Sequence, residues 1–305
     1  MSSPSPQPGW LQRAIVERAR HALACGALQP IETSLATIDD GGVRFAVRQV
    51  SSLVRKARER PAARGDDFDP FLPYDPDLFV ADLSPTHVAL LNKFNVIDHH
   101  LLIVTRAFED QETLLGLADF EAWNLCLQAL DGWLGFYNGG VQAGASQRHK
   151  HMQAVAPALG EAGMPLPIAP LLDAAPRDGR VCTVAGLPFA HAFCRLTSER
   201  GEAAPAMLAA YRRLLDTLGV SALASPADAR QSAPYNLLVT SRWMLAVPRT
   251  AESAEGVAVN ALGFAGSLFV RDATQMEAVR RVGPLRLLQR VARPLAGGNR
   301  GSSGG

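Results

Sequence analysis

The chain has 305 residues, 48% hydrophobic and 19% charged, with a formal net charge of +1 and a mean hydropathy of +0.04. That apolar content argues against wholesale disorder, because enough surface can be buried to offset chain entropy. The balanced charge lacks the basic excess of a general nucleic-acid binder, and no apolar run approaches the roughly 20 residues that cross a bilayer. The opening MSSPSPQPGW shows no charged-then-apolar leader pattern. No nucleic-acid or membrane partner is therefore expected.

Residues 1–9 are Ser/Pro-rich and read as disordered. From Trp10 to Cys25, Leu11, Ala14, Ile15 and Leu23 recur at helical spacing. Val43, Phe45 and Val47 alternate with polar or small residues after an Asp-Asp-Gly-Gly turn, a half-buried strand. Residues 61–85 read as an irregular loop anchored by Phe68, Phe71, Tyr74 and Phe79. Strands are expected over 87–96 and 100–105, then a helix capped by Asp119 and running to about Leu130, with Phe120, Trp123, Leu127 and Leu130 on one face. Residues 135–147 read as a Gly/Asn/Ser loop enclosing a short strand at Phe136-Tyr137, and 149–155 as a strand. A Pro/Ala/Gly-rich linker over 156–180 precedes a second portion. That portion has a strand at 189–196, a helix at 205–218, a hairpin of 235–240 with 243–247, and a helix over 275–293 broken at Gly283-Pro284. The tail from 294 is expected to be flexible. Short hairpins, with no regular βαβ crossover, predict an α+β fold with an antiparallel sheet.

Cys25, Cys126, Cys182 and Cys194 lie far apart with no CxxC pair, so each reads as a small buried hydrophobe in a reducing, cytoplasmic setting. Only three of the 30 basic residues are lysines: Lys56, Lys93 and Lys150. In so Arg-rich a chain, a retained lysine hints at a site that prefers a compact ammonium. Trp123, Trp133, Trp243 and Phe264 read as core. His99 and His100 read as structural at a strand start, His21, His87 and His191 belong to no motif, and Arg55, Arg58, Arg60 and Arg64 read as a solvated face.

The informative stretch is Gly144-Ala-Ser-Gln-Arg-His-Lys-His-Met-Gln153. On a strand, His149, His151 and Gln153 share one face and Lys150, Met152 and Ala154 the other. The polar row admits three readings. It is a set of satisfied polar side chains, a metal site that lacks a good third ligand, or a nucleophilic imidazole acting at phosphorus, where a neutral ring attacks near pH 7. The flanking loops Tyr137-Asn-Gly-Gly140 and Gly144-Ala-Ser-Gln147 offer backbone N–H groups of the kind that hold phosphate oxygens. No Walker-type Gly-x-x-x-x-Gly-Lys-Ser/Thr is present.

Five segments, Leu91-Asn-Lys-Phe-Asn-Val96, His99-His-Leu-Leu-Ile-Val-Thr105, Phe136-Tyr-Asn-Gly-Gly140, Gly144-Ala-Ser-Gln147 and His149-Lys-His-Met-Gln153, together resemble the ATP adenylyltransferases. These are also called diadenosine tetraphosphate phosphorylases, a transferase branch of the histidine-triad superfamily. Asn260-Ala-Leu-Gly-Phe-Ala-Gly266 resembles a further motif of that family. The resemblance implies a histidine-triad-like antiparallel sheet flanked by helices in residues 10–180, and a C-terminal α/β portion, residues 181–293, completing the nucleotide site. It implies that His151 takes AMP onto its ring, that Gln153 binds the α-phosphate, and that His149 orients His151 or the loop. Gly144, Ala145, Ser146 and Gln147, with Asn138, would cradle polyphosphate. Lys56, Asn92 and Lys93 would contact nucleotide or phosphate, and Asn260, Ala261 and Leu262 would reach in from the C-terminal portion. Ser267 and Arg271 would also meet the substrate, although the family often has Met and Lys there.

The reaction so implied is phosphorolysis of diadenosine tetraphosphate to ADP and ATP, with Mg²⁺ or another divalent cation accompanying the nucleotide and no structural metal. Histidine-triad hydrolases typically carry a third His where Gln153 stands. An amide cannot act as a base toward water, so phosphate is the expected acceptor. A hydrolase, a hexose-phosphate uridylyltransferase and a nucleotide-binding sensor are the alternatives.

Overall fold

The structure, a computed structural model, describes residues 9–50, 68–157, 159–160, 166–197, 203–223 and 229–295. Lys56, the arginines at 55, 58, 60 and 64, most of the N-terminal 1–9 segment and all but the first two residues of the tail lie outside them. Among the described residues no helix is long and apolar enough to cross a membrane.

The architecture is built on an eight-stranded antiparallel sheet. Its strands, in spatial order, are β3 (Phe79–Asp82), β4 (His87–Leu91), β5 (Leu101–Thr105), β7 (His151–Val155), β6 (Leu134–Gly139), β9 (Tyr235–Val239), β10 (Trp243–Pro248) and β8 (Ala192–Arg195). A hairpin of β1 (Thr33–Asp40) and β2 (Val43–Val50) accepts β13 (Ser267–Val270) as a parallel third strand, and β11 (Ser253–Ala254) pairs with β12 (Val257–Ala258) in a short antiparallel ribbon. The sheets therefore join the two portions of the chain twice: β6 pairs with β9, and β13 pairs with β2.

One face of the large sheet is covered by α1 (Trp10–Cys25), α2 (Leu117–Ala129) and α4 (Ala203–Leu218). On α1 the buried stripe is Leu11, Ile15, Ala19 and Ala22, a 3.6-residue periodicity; Leu23, assigned to that face from sequence, is exposed. On α2, Phe120, Trp123 and Leu127, with Leu130 just beyond the helix, are buried as expected. Burying side chains of this size stabilises by roughly 1.5–3 kcal/mol each. Asp119 is not the cap residue: it lies in the first turn and accepts from the Gly116 amide at 2.6 Å.

The largest discrepancy is residues 135–147. The expected loop contains the six-residue strand β6 in the middle of the sheet. Its Gly-rich sequence LGFYNG hides the strand signal. Gly135 is required because a Cβ there would lie 2.4 Å from the Trp123 indole nitrogen, so the helix packs directly onto the strand backbone. The linker 156–180 includes a short helix, α3 (Ala169–Asp173). The interrupted C-terminal helix is two helices, α6 (Ala273–Val282) and α7 (Pro284–Val291), with α5 (Ala261–Phe264) before β13. The second face of the sheet packs on these and on the small sheet, and Trp243 and Phe264 are core there. Cys126 and Cys194 are buried, as expected; Cys25 is exposed, contrary to expectation.

Candidate active site

The cavity face of the sheet is polar only at its centre. Alternation along β5 and β7, with Val104 opposite His151 and Leu102 opposite Gln153, puts His151, Gln153 and Leu102 on one side, facing a cavity of about 1280 Å³. Met152 and Ala154 face the helices. Pockets for drug-sized ligands span roughly 300–1,000 Å³, so this space suits a larger molecule.

His151 is 4% exposed, and its Nδ1 lies 2.8 Å from the His149 carbonyl oxygen. A carbonyl only accepts, so Nδ1 carries the proton and donates, and Nε2 keeps its lone pair. Burial pushes the ring pKa down to about 4, only partly opposed by that hydrogen bond. The imidazole is therefore neutral at pH 7, with its lone pair on Nε2. The Gln111 side chain fixes the strand around it. Gln111 Oε1 accepts from the His151 amide at 2.8 Å, and its Nε2 donates to the carbonyls of Asn138 and His151.

His149 differs from its expected placement. β7 begins at His151, and His149 forms only an isolated bridge with Asp110. Its ring meets Asp69 at 2.8 Å through Nδ1 and Thr105 through Nε2. The side chain thus ties down the segment carrying Phe71, whose ring stands 5.4 Å from that of His151. His149 touches His151 through its main-chain carbonyl.

Gln153 Oε1 lies 2.9 Å from His100 Nε2, and His100 Nδ1 lies 3.1 Å from Asn92 Nδ2. His100, read from sequence as structural, belongs to the site. Burial pushes its pKa down to about 4 as well. Lys150 faces the other way: its ammonium is buried between Glu109 at 2.8 Å and Asp119 at 3.0 Å, and Asp119 also meets His87 at 3.0 Å. Its retention as lysine is explained by a buried ion pair on the helix side.

Of the loop predicted to hold phosphate, Gly144, Ser146 and Gln147 line the cavity and Ala145 does not. The amides of Gly144 and Ala145 are engaged within the loop by Val141 and Gly140. Among the described residues, the Ser146 and Gln147 amides have no backbone acceptor. Gly144 has a left-handed φ of +88°, and a Cβ there would stand 2.9 Å from the Asn260 Cβ, so the C-terminal portion approaches the loop as closely as backbone permits.

Asn92, Lys93, Asn138, Asn260, Leu262 and Arg271 line the same cavity. Lys93 is half-exposed, 3.9 Å from Asp75. Asn138 Oδ1 accepts from the Ala261 amide at 2.9 Å, so Ala261 is engaged by protein and is not on the wall. Ser267 is not on the wall either: it is fully buried in β13 and its hydroxyl has no partner among the described residues. That is a correction, since its expected substrate contact is blocked by β2 pairing and core packing around it.

Sequence reasoning missed Gln111, Asn236 and Arg249. Arg249 is buried and donates to Asn236 Oδ1 at 2.5 Å, to the Val259 carbonyl at 2.8 Å and to the Ala251 carbonyl at 2.7 Å. An isolated Arg or Gln in an apolar run carries no local pattern that marks such a role. Among the described residues, the one group with three converging metal-type ligands is His21, Cys25 and Asp77, none of them on the cavity wall.

A model of the Ap4A (diadenosine tetraphosphate) phosphorylase N-terminal domain matches residues 1–174, and one of the ATP adenylyltransferase C-terminal domain matches residues 185–294. The chain belongs to the Ap4A phosphorylase family. It is 30% identical over 241 residues to the Saccharomyces cerevisiae diadenosine 5',5'''-P1,P4-tetraphosphate phosphorylase 2, covering 68% of this chain and 70% of the relative. It is 24% identical over 298 residues to Protein APA1 of the same yeast, covering 87% and 88%. The fold matches the crystal structure of yeast Ap4A phosphorylase Apa2 with a TM-score of 0.77 at 24% identity, covering 94% of this chain and 96% of that one. It also matches that yeast protein in complex with Ap4A, with a TM-score of 0.76 at 23% identity over 93% and 97%. Members of this family are enzymes of the transferase class, and the large antiparallel sheet flanked by helices expected from the sequence is the fold found.

Proposed function

We propose that the chain phosphorolyses Ap4A through an adenylyl-histidine. His151 Nε2 attacks one terminal α-phosphorus, the N–P bond forms, the bridging P–O bond to the β-phosphate breaks, and ATP leaves. Inorganic phosphate then attacks the same phosphorus, the N–P bond breaks, and ADP leaves. Splitting the transfer in two replaces one difficult displacement with two easier ones. One observation carries this reading: the His151 proton is held on Nδ1 by the His149 carbonyl, so the nitrogen with the lone pair is the one left for the cavity. The cavity, at about 1280 Å³, also exceeds the usual drug-sized pocket, as a dinucleoside polyphosphate requires.

The Gln153 amide N–H₂ and the backbone amides of Ser146 and Gln147 are the donors for the phosphoryl oxygens, with Lys93 and Arg271 supplying charge. Asn92, Asn138, Asn260 and Leu262 shape the nucleotide pocket. Among the described residues the cavity wall carries the carboxylates of Asp75 and Glu252, and Mg²⁺ enters as part of the polyphosphate substrate, screening its charge. The free thiols of all four cysteines suit a cytoplasmic enzyme.

The test is nucleotide chromatography after mixing the protein with Ap4A and Mg²⁺, with and without phosphate, beside His151→Ala. Phosphate-dependent ADP plus ATP, lost in the variant, is the expected result. AMP plus ATP without phosphate makes the chain a hydrolase. UMP trapped on the protein in place of AMP makes it a uridylyltransferase, and tight nucleotide binding without turnover makes it a sensor.

A further inference from the structure

Gln153 has an amide with two unlike ends, and the proposed reaction needs only the nitrogen end. Which end faces the cavity is set by a chain of hydrogen bonds whose direction is forced at each link. The Phe94 main-chain N–H donates to Asn92 Oδ1 at 3.3 Å, which turns the Asn92 Nδ2 away from it. That Nδ2 lies 3.1 Å from His100 Nδ1 and can only donate, so Nδ1 accepts. The His100 ring proton then sits on Nε2, which donates to Gln153 Oε1 at 2.9 Å. The Gln153 N–H₂ is left for the cavity.

The chain is well held. The Asn92 main-chain N–H also donates to the His100 carbonyl at 2.9 Å. The His100 ring packs 5.6 Å from the Phe136 ring. His99, just before it, takes a left-handed φ of +60°, an unusual backbone for a non-glycine residue, and places His100 at the mouth of β5. Burial keeps the His100 ring neutral, so it has a single N–H to give and the amide has one stable orientation.

We infer that His100, directed by Asn92, is a positioning residue that presents the Gln153 N–H₂ to the α-phosphate and keeps the Gln153 carbonyl out of the site, and so sets the preference for phosphate over water. The inference rests on the adenylyl-transfer reading. A reversed amide would offer Oε1 to the cavity, where it would accept a hydrogen bond from water and align it on the adenylyl-histidine. It would also face the phosphate oxygens lone pair to lone pair, at the cost of a phosphoryl donor.

The test compares wild type with His100→Leu, His100→Gln, Gln153→Leu and the double variant His100→Leu/Gln153→Leu. A glutamine at 100 has a donor at nearly the reach of the imidazole Nε2; a leucine has none. His100→Leu is expected to lower kcat for phosphorolysis on the order of 10–100-fold, up to the loss that follows removal of one preorganised donor, with KM for Ap4A changed less than about threefold. The AMP-to-ADP product ratio at fixed phosphate should rise. His100→Gln should restore both kcat and the ratio, and the double variant should be no slower than Gln153→Leu. Losses that add, or a His100→Leu enzyme with wild-type kcat and product ratio, overturn the inference. A readout without substrate separates it from the reaction itself: nitrogen-15 NMR of the wild-type protein should show His100 as the Nε2–H tautomer. The Nδ1–H tautomer overturns the inference whether or not Ap4A is turned over, and stands in for the kinetics if His100→Leu fails to fold. The expected tautomer in a protein inert toward Ap4A instead overturns the acceptor preference together with the reaction reading.

Discussion

A neutral nucleophilic imidazole held deep in the sheet should tolerate acid that would silence an ordinary histidine. The perturbation is pH, lowered from 7.5 to 5.0. Burial pushes the His151 pKa down to about 4, against an ordinary 6.5. At pH 5 an imidazole of pKa 6.5 is about 3% neutral, whereas one of pKa 4 is about 90% neutral, a contrast of roughly thirtyfold in reactive form. The assay is single-turnover release of ATP from Ap4A in the absence of phosphate, at constant ionic strength. This isolates attack by His151 from the ionisation of the phosphate acceptor. Far-ultraviolet circular dichroism at each pH confirms that the fold persists. The rate of ATP release should fall by less than about 1.5-fold across the range. An acid limb centred near pH 6.5 would refute the claim that burial and the His149 carbonyl hold the nucleophile neutral.

The same two buried rings make the fold sensitive to acid. His100 and His151 have folded pKa values pushed down to about 4, so the unfolded chain takes up their protons first and stability is lost as pH falls from 6.5 toward 4. Each contributes about 2 kcal/mol of loss at pH 5, to be read from urea midpoints, and His100→Gln should remove one share of that slope. Lys150→Met leaves the Asp119 carboxylate buried with only His87 and Gly116 as partners. It should cost about 3–5 kcal/mol in chemical denaturation while leaving KM for Ap4A unchanged, because Lys150 is on the helix side of the sheet. Ser267→Ala removes a buried hydroxyl that has no partner. It should raise stability by about 1 kcal/mol without altering KM, and a clear rise in KM would restore the substrate contact expected from sequence.

The chemistry was more legible than the framework that holds it. Residues at spacing two, His151 and Gln153, are visible on any strand, and the glycines beside them mark a loop that lines the same cavity. The strand β6 was hidden because the same glycines that admit Trp123 and the phosphate loop erase its alternation. The strand β1, TSLATIDD, was missed because it is an outer strand of the small sheet, none of its residues is fully buried and five of its eight are polar. His100 was misjudged for a different reason. Its partner Gln153 is 53 residues away, and only antiparallel pairing of β5 with β7 brings them together. Ser267 fails in the opposite sense: its place in a family motif suggested contact, but parallel pairing with β2 puts it in the core.

The pairing of β6 with β9 explains why motifs at opposite ends of the chain serve one cavity. Asn138 at the end of β6 and Asn236 on β9 stand opposite each other in the sheet and share a 2.9 Å side-chain hydrogen bond. Asn236 also donates to the Ala143 carbonyl at 2.8 Å, which fixes the base of the loop that starts at Gly144. Its oxygen accepts from Arg249, and Arg249 reaches onward to the Val259 carbonyl, immediately before Asn260. A guanidinium has five donors and no acceptor, so one buried side chain can gather carbonyls from several segments where no backbone ladder could run. Burial lowers its pKa to about 10, still well above neutrality, so the charge and its donors persist. The positions of Gly144 and Asn260 thus depend on one network seated on the sheet that also carries His151. The C-terminal portion consequently does more than cover a site already built by the N-terminal one: it holds the loop proposed to meet the phosphates.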